Sequence, residues 1–481
     1  MDDNYRLVFD QSTSATKLLL LQGGRILRRL DKKHQQIYPK TGWVEHSPDE
    51  IWEDVQKLFA DMLGETQLTA ADIASISITN QRETILTWDK ATGKPLYNAL
   101  VWQDNRSSGI CQSLIDSGYE LEIQRKTGLR LDTYFSGPKI KWLFENVPSV
   151  REASEQGNLA VGTIDSWLIW KLTAGKVFAT EASNACRTLL YNIREQRWDA
   201  ELCRIFDVSL SDLPEVRKSS DEFGHYQGIP IRGVMADSQA ALYGQGLTKA
   251  GEVKITMGTG CSVLMQLEHN DKIDSSEVLT TIVDSNETGT NYALEGIIRS
   301  CADSIHWFNE SIAAYENIDE ACNQVIENEF PQDIIFIPAL EGLASPYWES
   351  EASGAFLGMK RNTSKNDLLY AILESIVFQI KCVLHRMEEV SGIPVKVVKV
   401  DGGVSKNAGL VQKLANLLAK ELQVGETEEL SALGALKTGN KIEILLNDKI
   451  YLPQEDKLLD ERYSRWLSQL EYRKLLLKQQ Q

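Results

Sequence analysis

Short apolar runs broken by small polar turns dominate the first part of this chain. Tyr5 to Asp10 is an apolar run that ends in an acid, and Lys17 to Leu21 is a second run, followed after Gln22 by the hairpin pair Gly23-Gly24. Arg25 onward supplies a third strand, Asp49 to Leu63 reads as a helix, and Ile73 to Thr79 alternates apolar and small polar residues as a strand does. The Asp89 to Pro95 stretch reads as the turn of a later hairpin. Beyond residue 240 the pattern starts again, with a strand over Glu252 to Met257, a turn at Gly258-Thr259-Gly260 and a returning strand over Ser262 to Leu267. The spacing of Leu368, Ile372, Ile376, Ile380, Val383 and Met387 predicts a long helix. Ser364 with Asp367 would open it as a capping box, and Gly392 would close it. Val395 to Val400 is then a β-branched strand running into Asp401-Gly402-Gly403, and a final helix carries Tyr463, Trp466 and Leu470 on one face.

Length and charge narrow this picture. A chain of 481 residues exceeds one compact core, so two domains are expected. A net charge of -17 argues against a protein that wraps nucleic acid or an anionic membrane, and any anionic ligand must be held by local chemistry. Met1 to Asp10 lacks the basic head and apolar run of a secretory signal, and no segment has the 18 or so consecutive apolar residues of a membrane span. Seven cysteines without a CxxC spacing fit reduced thiols, so the expected compartment is the cytoplasm.

Three turns carry candidate chemistry. Asp10 to Lys17 packs a carboxylate, several hydroxyls and a cation between two strands, a set able to hold magnesium and donate to phosphate oxygens, or simply to serve as a polar hairpin. Gly258, Thr259 and Gly260 sit at the matching point of the second half, where glycines can bring amides against a phosphate or form a tight β-turn. Asp401-Gly402-Gly403, with Asn407 at a helix start, suits a nucleoside as much as a phosphate. Together the three turns point to a nucleotide clamped between domains. Neither a GxxxxGK[ST] loop nor the HRD and DFG set of protein kinases occurs. Arg82 and Glu83 directly follow a strand, where the pair can bind vicinal hydroxyls or form an ordinary surface salt bridge. Trp102 can offer an apolar wall or fill a core, and Asp237 can be a reactive carboxylate or a helix cap.

At these residues the chain resembles the FGGY carbohydrate kinases, and within them the glycerol kinases. The matching runs include YPKTGWVEHSPDEIW (38 to 52), TNQRETILTWDKATGKPLYNALVWQDNR (79 to 106), TMGTGCSVLM (256 to 265), YALEG (292 to 296) and DGGVSKN (401 to 407), in one order over nearly the whole chain. The resemblance implies an α/β protein of two actin-like (ribonuclease H-like) domains, 1–246 and 247–481, with mixed sheets flanked by helices and an active-site cleft between them. It implies ATP-dependent phosphorylation of a small polyol, with glycerol giving sn-glycerol 3-phosphate, and a larger polyol or a ketose as the alternative acceptor. A sugar-sensing relative without turnover is a second alternative.

Carried over residue by residue, the resemblance makes Asp237 the general base and places Arg82, Glu83, Trp102, Tyr134, Ser238 and Ser262 around the acceptor. Asp10 would help hold Mg2+. Thr13, Ser14, Lys17, Gly258, Thr259 and Gly260 would meet phosphates, with Ala302, His306, Gly403 and Asn407 near the nucleoside. Its expected partners are the polyol and ATP or ADP, with a homo-oligomer left open and neither nucleic acid nor membrane insertion. Several positions depart from the family pattern. Ser238 and Ser262 stand where glycerol kinases usually carry Gln and an aromatic. Ser12, Ala15 and Lys17 replace Gly, Ser and Arg, and Ala302 and His306 replace Gly and Gln. His225 loosely resembles a histidine that is phosphorylated in some relatives, and is otherwise a surface histidine.

Overall fold

In the first half, Tyr5–Gln11 pairs antiparallel with Ala15–Gln22 and parallel with Ile73–Asn80; Arg25–Lys33 extends one side, and Ile229–Ala236 then Glu222–Tyr226 the other. This computed structural model describes residues 4–269, 275–328, 334–349, 351–425, 427, 429–440, 442 and 447–478, the side chains of 474–478 excepted. The second half repeats the plan. Glu252–Met257 lies antiparallel to Cys261–Gln266 and parallel to Val397–Asp401, with Gly289–Ile298 and Leu279–Asn286 beyond the first, and Leu422–Gly425 and Asp448–Tyr451 beyond the second. Two mixed sheets of one actin-like topology, as expected from the sequence, result.

Both faces of the first sheet are covered at Tyr5–Gln11 and Ala15–Gln22, which is why those two strands read as near-continuous apolar runs. Leu7, Phe9, Leu18 and Leu20 pack with Ile51, Val55 and Leu58 of the helix Pro48–Thr66, while Val8, Leu19 and Leu21 pack on the opposite side with Ala432, Leu433, Ala435 and Leu436. The latter four belong to the helix Leu430–Gly439, so a helix from late in the sequence is seated on the first sheet. It crosses the helix Asp237–Gly244 backbone to backbone. A Cβ at Gly434 would fall 1.7 Å from the Ala240 carbonyl oxygen, and one at Gly244 would fall 2.2 Å from that of Leu430, so only glycine permits the approach.

The helix Lys365–Ser391 has the predicted capping box at Ser364 and Asp367, and Gly392 closes it with a φ of 67°. By length and apolarity it is the one described helix able to span a membrane, yet 89% of its apolar window is buried in the protein, packed with the second sheet. The helix Lys457–Lys478 docks through Trp466, whose Nε1 donates to the Phe336 carbonyl at 2.8 Å. Between Ile73–Asn80 and Glu222–Tyr226 the chain inserts several helices around a separate apolar cluster and three strands, Ile85–Asp89, Ala99–Leu100 and Leu159–Thr163, that form a four-stranded sheet with the earlier Glu45–His46; this insertion carries Trp102, Tyr134 and Arg187. His225 lies half exposed on the edge strand Glu222–Tyr226, 3.7 Å from Glu222.

Candidate functional site

The first turn, residues 12–14, is closed by Ser12, whose amide and Oγ each donate to the Ala15 carbonyl at 2.9 Å. Antiparallel register sets Asp10 opposite Lys17, and their side chains meet at 3.3 Å. Lys17 also reaches Glu429 at 3.2 Å, and Glu429 in turn pairs with Arg29 at 2.8 Å, so the Lys17 charge is balanced where it stands. Burial pushes the Asp10 carboxyl above its ordinary range, with Lys17 opposing. Behind the turn, the Thr13 carbonyl accepts from His34 Nε2 at 3.0 Å, and His34 packs edge-on against His46 with ring centroids 4.6 Å apart. Burial lowers both imidazole pKa values, that of His46 to about 3, so the pair is neutral at physiological pH.

Arg82 and Glu83 leave the end of the strand Ile73–Asn80, and both are buried rather than paired at a surface. Arg82 Nη1 donates to Glu295 at 2.9 Å, and Arg82 Nε lies 3.5 Å from Asp237 but 3.7 Å from Glu83. Glu83 instead accepts from Arg187 Nε at 2.7 Å, and Arg187 Nη1 reaches the second Glu295 oxygen at 2.5 Å. Glu83 has a left-handed backbone with φ of 62°, a strain of order 1–3 kcal/mol that persists only where the surroundings over-determine it. Here Arg187 holds its carboxylate and Ser136 Oγ donates to its carbonyl at 2.8 Å. Burial raises the Glu83 pKa, with Arg82 and Arg187 opposing; for Glu295 burial has the same sense, but Arg187 and Arg82 prevail and hold the carboxyl low.

Trp102 is half-buried, its Nε1 donating to Thr13 Oγ1 at 3.0 Å and its ring 5.4 Å from that of Tyr134, so one indole joins the first turn to the Arg82 wall. The buried Lys139 ammonium donates to the carbonyls of Thr133, Tyr134 and Phe135 and fixes the loop that presents Tyr134; burial pulls its pKa down to about 8. Asp237 opens the helix Asp237–Gly244, accepts from the Ser238 amide at 2.6 Å, and keeps 37% of its side chain open. Burial raises its pKa and the Arg82 guanidinium opposes, with Asp10 and Lys254 also acting on the carboxylate. Ser238 beside it is half-buried. Ser262 lies on Cys261–Gln266, and by register shares a face of the second sheet with Glu295; its buried Oγ has no hydrogen-bond partner.

The second and third turns meet directly. Gly402 has a φ of 94°, and a Cβ on it would fall 2.5 Å from the Met257 carbonyl oxygen, so the Gly402 backbone rests on the strand that leads into Gly258. The Gly258 carbonyl accepts from the Ala302 amide at 3.1 Å and the Thr259 carbonyl from the Cys301 and Asp303 amides at 3.3 and 3.2 Å. The helix Ala302–Phe308 therefore spends its first amides bracing this turn. Thr259 is exposed, and space over Gly403 is open. Asn407 caps the helix Ala408–Leu418, its Oδ1 accepting from Leu410 at 2.8 Å, while its buried Nδ2 has no partner. His306 is exposed on the bracing helix, one turn beyond Ala302.

The predicted acceptor residues Arg82, Glu83, Trp102, Tyr134 and Asp237 are thus joined by side-chain contacts and electrostatics, and Asp10 acts on the same Asp237 carboxylate. The two groups of turns are linked by the Asp237–Gly244 helix, whose cap Gln245 donates through Nε2 to Asp401 at 2.6 Å. Sequence reasoning missed Arg187, Glu295, Glu429 and Lys139. For Glu295 one signal was present, a lone acid inside the apolar run Tyr292 to Ile298. The others are brought into place by contacts distant in sequence.

Two family models match, the N-terminal domain of the FGGY family of carbohydrate kinases over residues 5–244 and its C-terminal domain over 253–441. A glycerol kinase of Bacillus licheniformis is 42% identical over 441 residues, covering 90% of this chain and 89% of its own. One from Bacillus velezensis is 40% identical over 484 residues, covering 96% and 98%. The crystal structure of Plasmodium falciparum glycerol kinase with ADP superposes with a TM-score of 0.90 at 31% identity, covering 98% of each chain.

Proposed function

The chain belongs to the FGGY family of carbohydrate kinases, and from that premise we propose that it transfers the γ-phosphoryl group of ATP to a hydroxyl of glycerol, giving sn-glycerol 3-phosphate. The observation that carries the reading is Asp237, a carboxylate with 37% of its side chain open, 3.5 Å from Arg82 and acted on by Asp10. Asp237 takes the proton of the attacking hydroxyl as the oxygen approaches the γ-phosphorus. Arg82 and Glu83 hold vicinal hydroxyls, while Trp102 and Tyr134 cover the carbons. Catalysis is chiefly alignment, together with neutralisation of charge on the transferred group.

Residues 1–246 supply most of the acceptor wall and the first phosphate turn in this reading, and 247–481 the nucleotide side together with Ser262 and Glu295 at the acceptor. Thr13, Ser14 and Lys17 face phosphates from one side and Gly258, Thr259 and Gly260 from the other, with Ala302, His306, Gly403 and Asn407 about the nucleoside. The unpartnered Asn407 Nδ2 and the open space over Gly403 fit such a ligand. No group of three His, Cys, Asp or Glu able to cage a metal occurs among the described residues. That fits magnesium, which is commonly held by one or two carboxylates plus phosphates and water, so Asp10 would hold it. When bound, the ion supplies charge neutralisation on the phosphate oxygens. Closure of the two halves excludes water and limits ATP hydrolysis. Seven buried free cysteines fit a reducing cytoplasm.

The buried, unpartnered Ser262 Oγ on the Glu295 face favours a second reading, in which a longer polyol or a ketose places an additional hydroxyl there. ADP release measured over glycerol, four- and five-carbon polyols and ketoses separates the two: a kcat/KM highest for glycerol supports the first, and a clear preference for a longer acceptor replaces it with the second. Asp237→Asn is the companion control. Equal, negligible turnover in both chains would mark a sensor rather than a kinase.

A further inference from the structure

The two residues read here as gripping the acceptor are not held by each other. Arg82 and Glu83 approach only to 3.7 Å, whereas Arg82 is fixed by Glu295 at 2.9 Å, Glu83 by Arg187 at 2.7 Å, and Arg187 and Glu295 are fixed to one another at 2.5 Å. The result is a ring of alternating charge, with all four side chains at most 5% exposed. Three members come from the first half, whereas Glu295 sits on Gly289–Ile298 of the second sheet. We propose that Arg187 and Glu295 are positioning residues that set the spacing of Arg82 and Glu83 for vicinal hydroxyls and tie that spacing to the placement of the second sheet. The inference rests on the acceptor role of Arg82 and Glu83.

The physical reason is that a buried charge persists only when its partners are complete. Without Glu295, the Arg82 guanidinium would turn to its remaining carboxylates, and Asp237 stands only 3.5 Å away. Without Arg187, Glu83 and Glu295 would compete for Arg82 and draw it from Asp237. The remaining groups that act on Asp237, Asp10 from the first sheet and Lys254 from the second, are common to all variants. The two losses therefore push the basic group in opposite directions. Removing Glu295 strengthens the Arg82 hold on Asp237 and moves the acid limb of kcat/KM to lower pH; removing Arg187 weakens that hold and moves the limb to higher pH.

Glu295→Gln, Arg187→Met and the charge-retaining Glu295→Asp and Arg187→Lys are compared with the unmodified chain on its best acceptor. The expected result is a rise of ~10- to 100-fold in acceptor KM for the two neutral variants, with the KM for ATP changed by no more than about twofold. Opposed shifts of the acid limb and partial recovery in the charge-retaining pair are also expected. Equal changes in both KM values, or limbs that shift together, would overturn the proposal. Where a neutral variant does not fold, the pH profiles of the two charge-retaining variants decide it by the same criterion. An unmodified chain inactive on every polyol and sugar would instead overturn the kinase reading itself.

Discussion

In the proposed acceptor wall the charged side chains are bound mainly to one another, whereas around the second and third turns backbone contacts do most of the holding. Arg82, Glu83, Arg187 and Glu295 close on themselves, and Asp237 alone among the wall's acids keeps an open side chain. Around the second and third turns the contacts are made by backbone, Gly402 on Met257 and Ala302 on Gly258, while Asn407 Nδ2 stays free of partners. Under the proposed function the difference follows from what each side would hold. A neutral polyol offers only dipoles, so its site needs charged groups fixed in advance. A triphosphate brings its own charge into a protein of net charge -17, and is best met by amides and donors kept in reserve.

The sharpest way to break this contrast is at Asp237. Asp237→Asn should lower kcat by ~10²- to 10⁴-fold while leaving ADP binding by calorimetry intact. In the unmodified chain, burial raises the Asp237 pKa, and as the proposed base it would act in its ionised form. The acid limb of kcat/KM should therefore lie above the ordinary aspartate value of about 3.9 and fall away as pH drops through it. Arg82→Met comes next. It leaves Glu295 and Asp237 without their shared cation, and denaturant melts should show a loss of ~3–5 kcal/mol, whereas Lys17→Met, at a site with Arg29 still on Glu429, should lose clearly less.

On the nucleotide side, Gly402→Ala forces a Cβ against the Met257 carbonyl at a positive φ and should cost more than about 1 kcal/mol. It should weaken ADP more than polyol binding, and equal weakening would show the two sides to be one unit. Asn407→Ala should have the smallest effect, a cap loss of about 1 kcal/mol with a raised KM for ATP and an unchanged acceptor KM.

The two-sheet plan was legible because Tyr5–Gln11 and Ala15–Gln22, covered on both faces, are apolar runs and the strand-turn-strand pattern recurs at Glu252–Met257 and Cys261–Gln266, and because the helix Lys365–Ser391 carries its cap signals at both ends. The candidate residues Asp10, Arg82 and Asp237 lie at or just beyond strand ends, where a change from apolar to charged residues exposes them to a reader. Arg187 and Glu295 lie 104 and 212 positions from Glu83, and nothing local marks them as its companions. Nor could the sequence tell that Arg82 and Glu83, adjacent in the chain, would each choose another partner. The seating of Leu430–Gly439 on the first sheet was equally hidden, since its small residues signal a close approach without naming what approaches.

The Asp237–Gly244 helix begins at the proposed base and, through Gln245, ends on Asp401 beside the third turn. At 1.5 Å per residue the eight steps from Asp237 to Gln245 amount to a ruler of about 12 Å between the proposed base and the third turn. An inserted residue would lengthen it by one rise and swing one end by about 100°, carrying the carboxylate out of line. Since Gly434 and Gly244 press it against its neighbour with no side chain between, it cannot bow to absorb the change. In the proposed kinase, acceptors of different length would be accommodated by trimming or enlarging side chains such as Ser262 rather than by spacing the two reactants further apart.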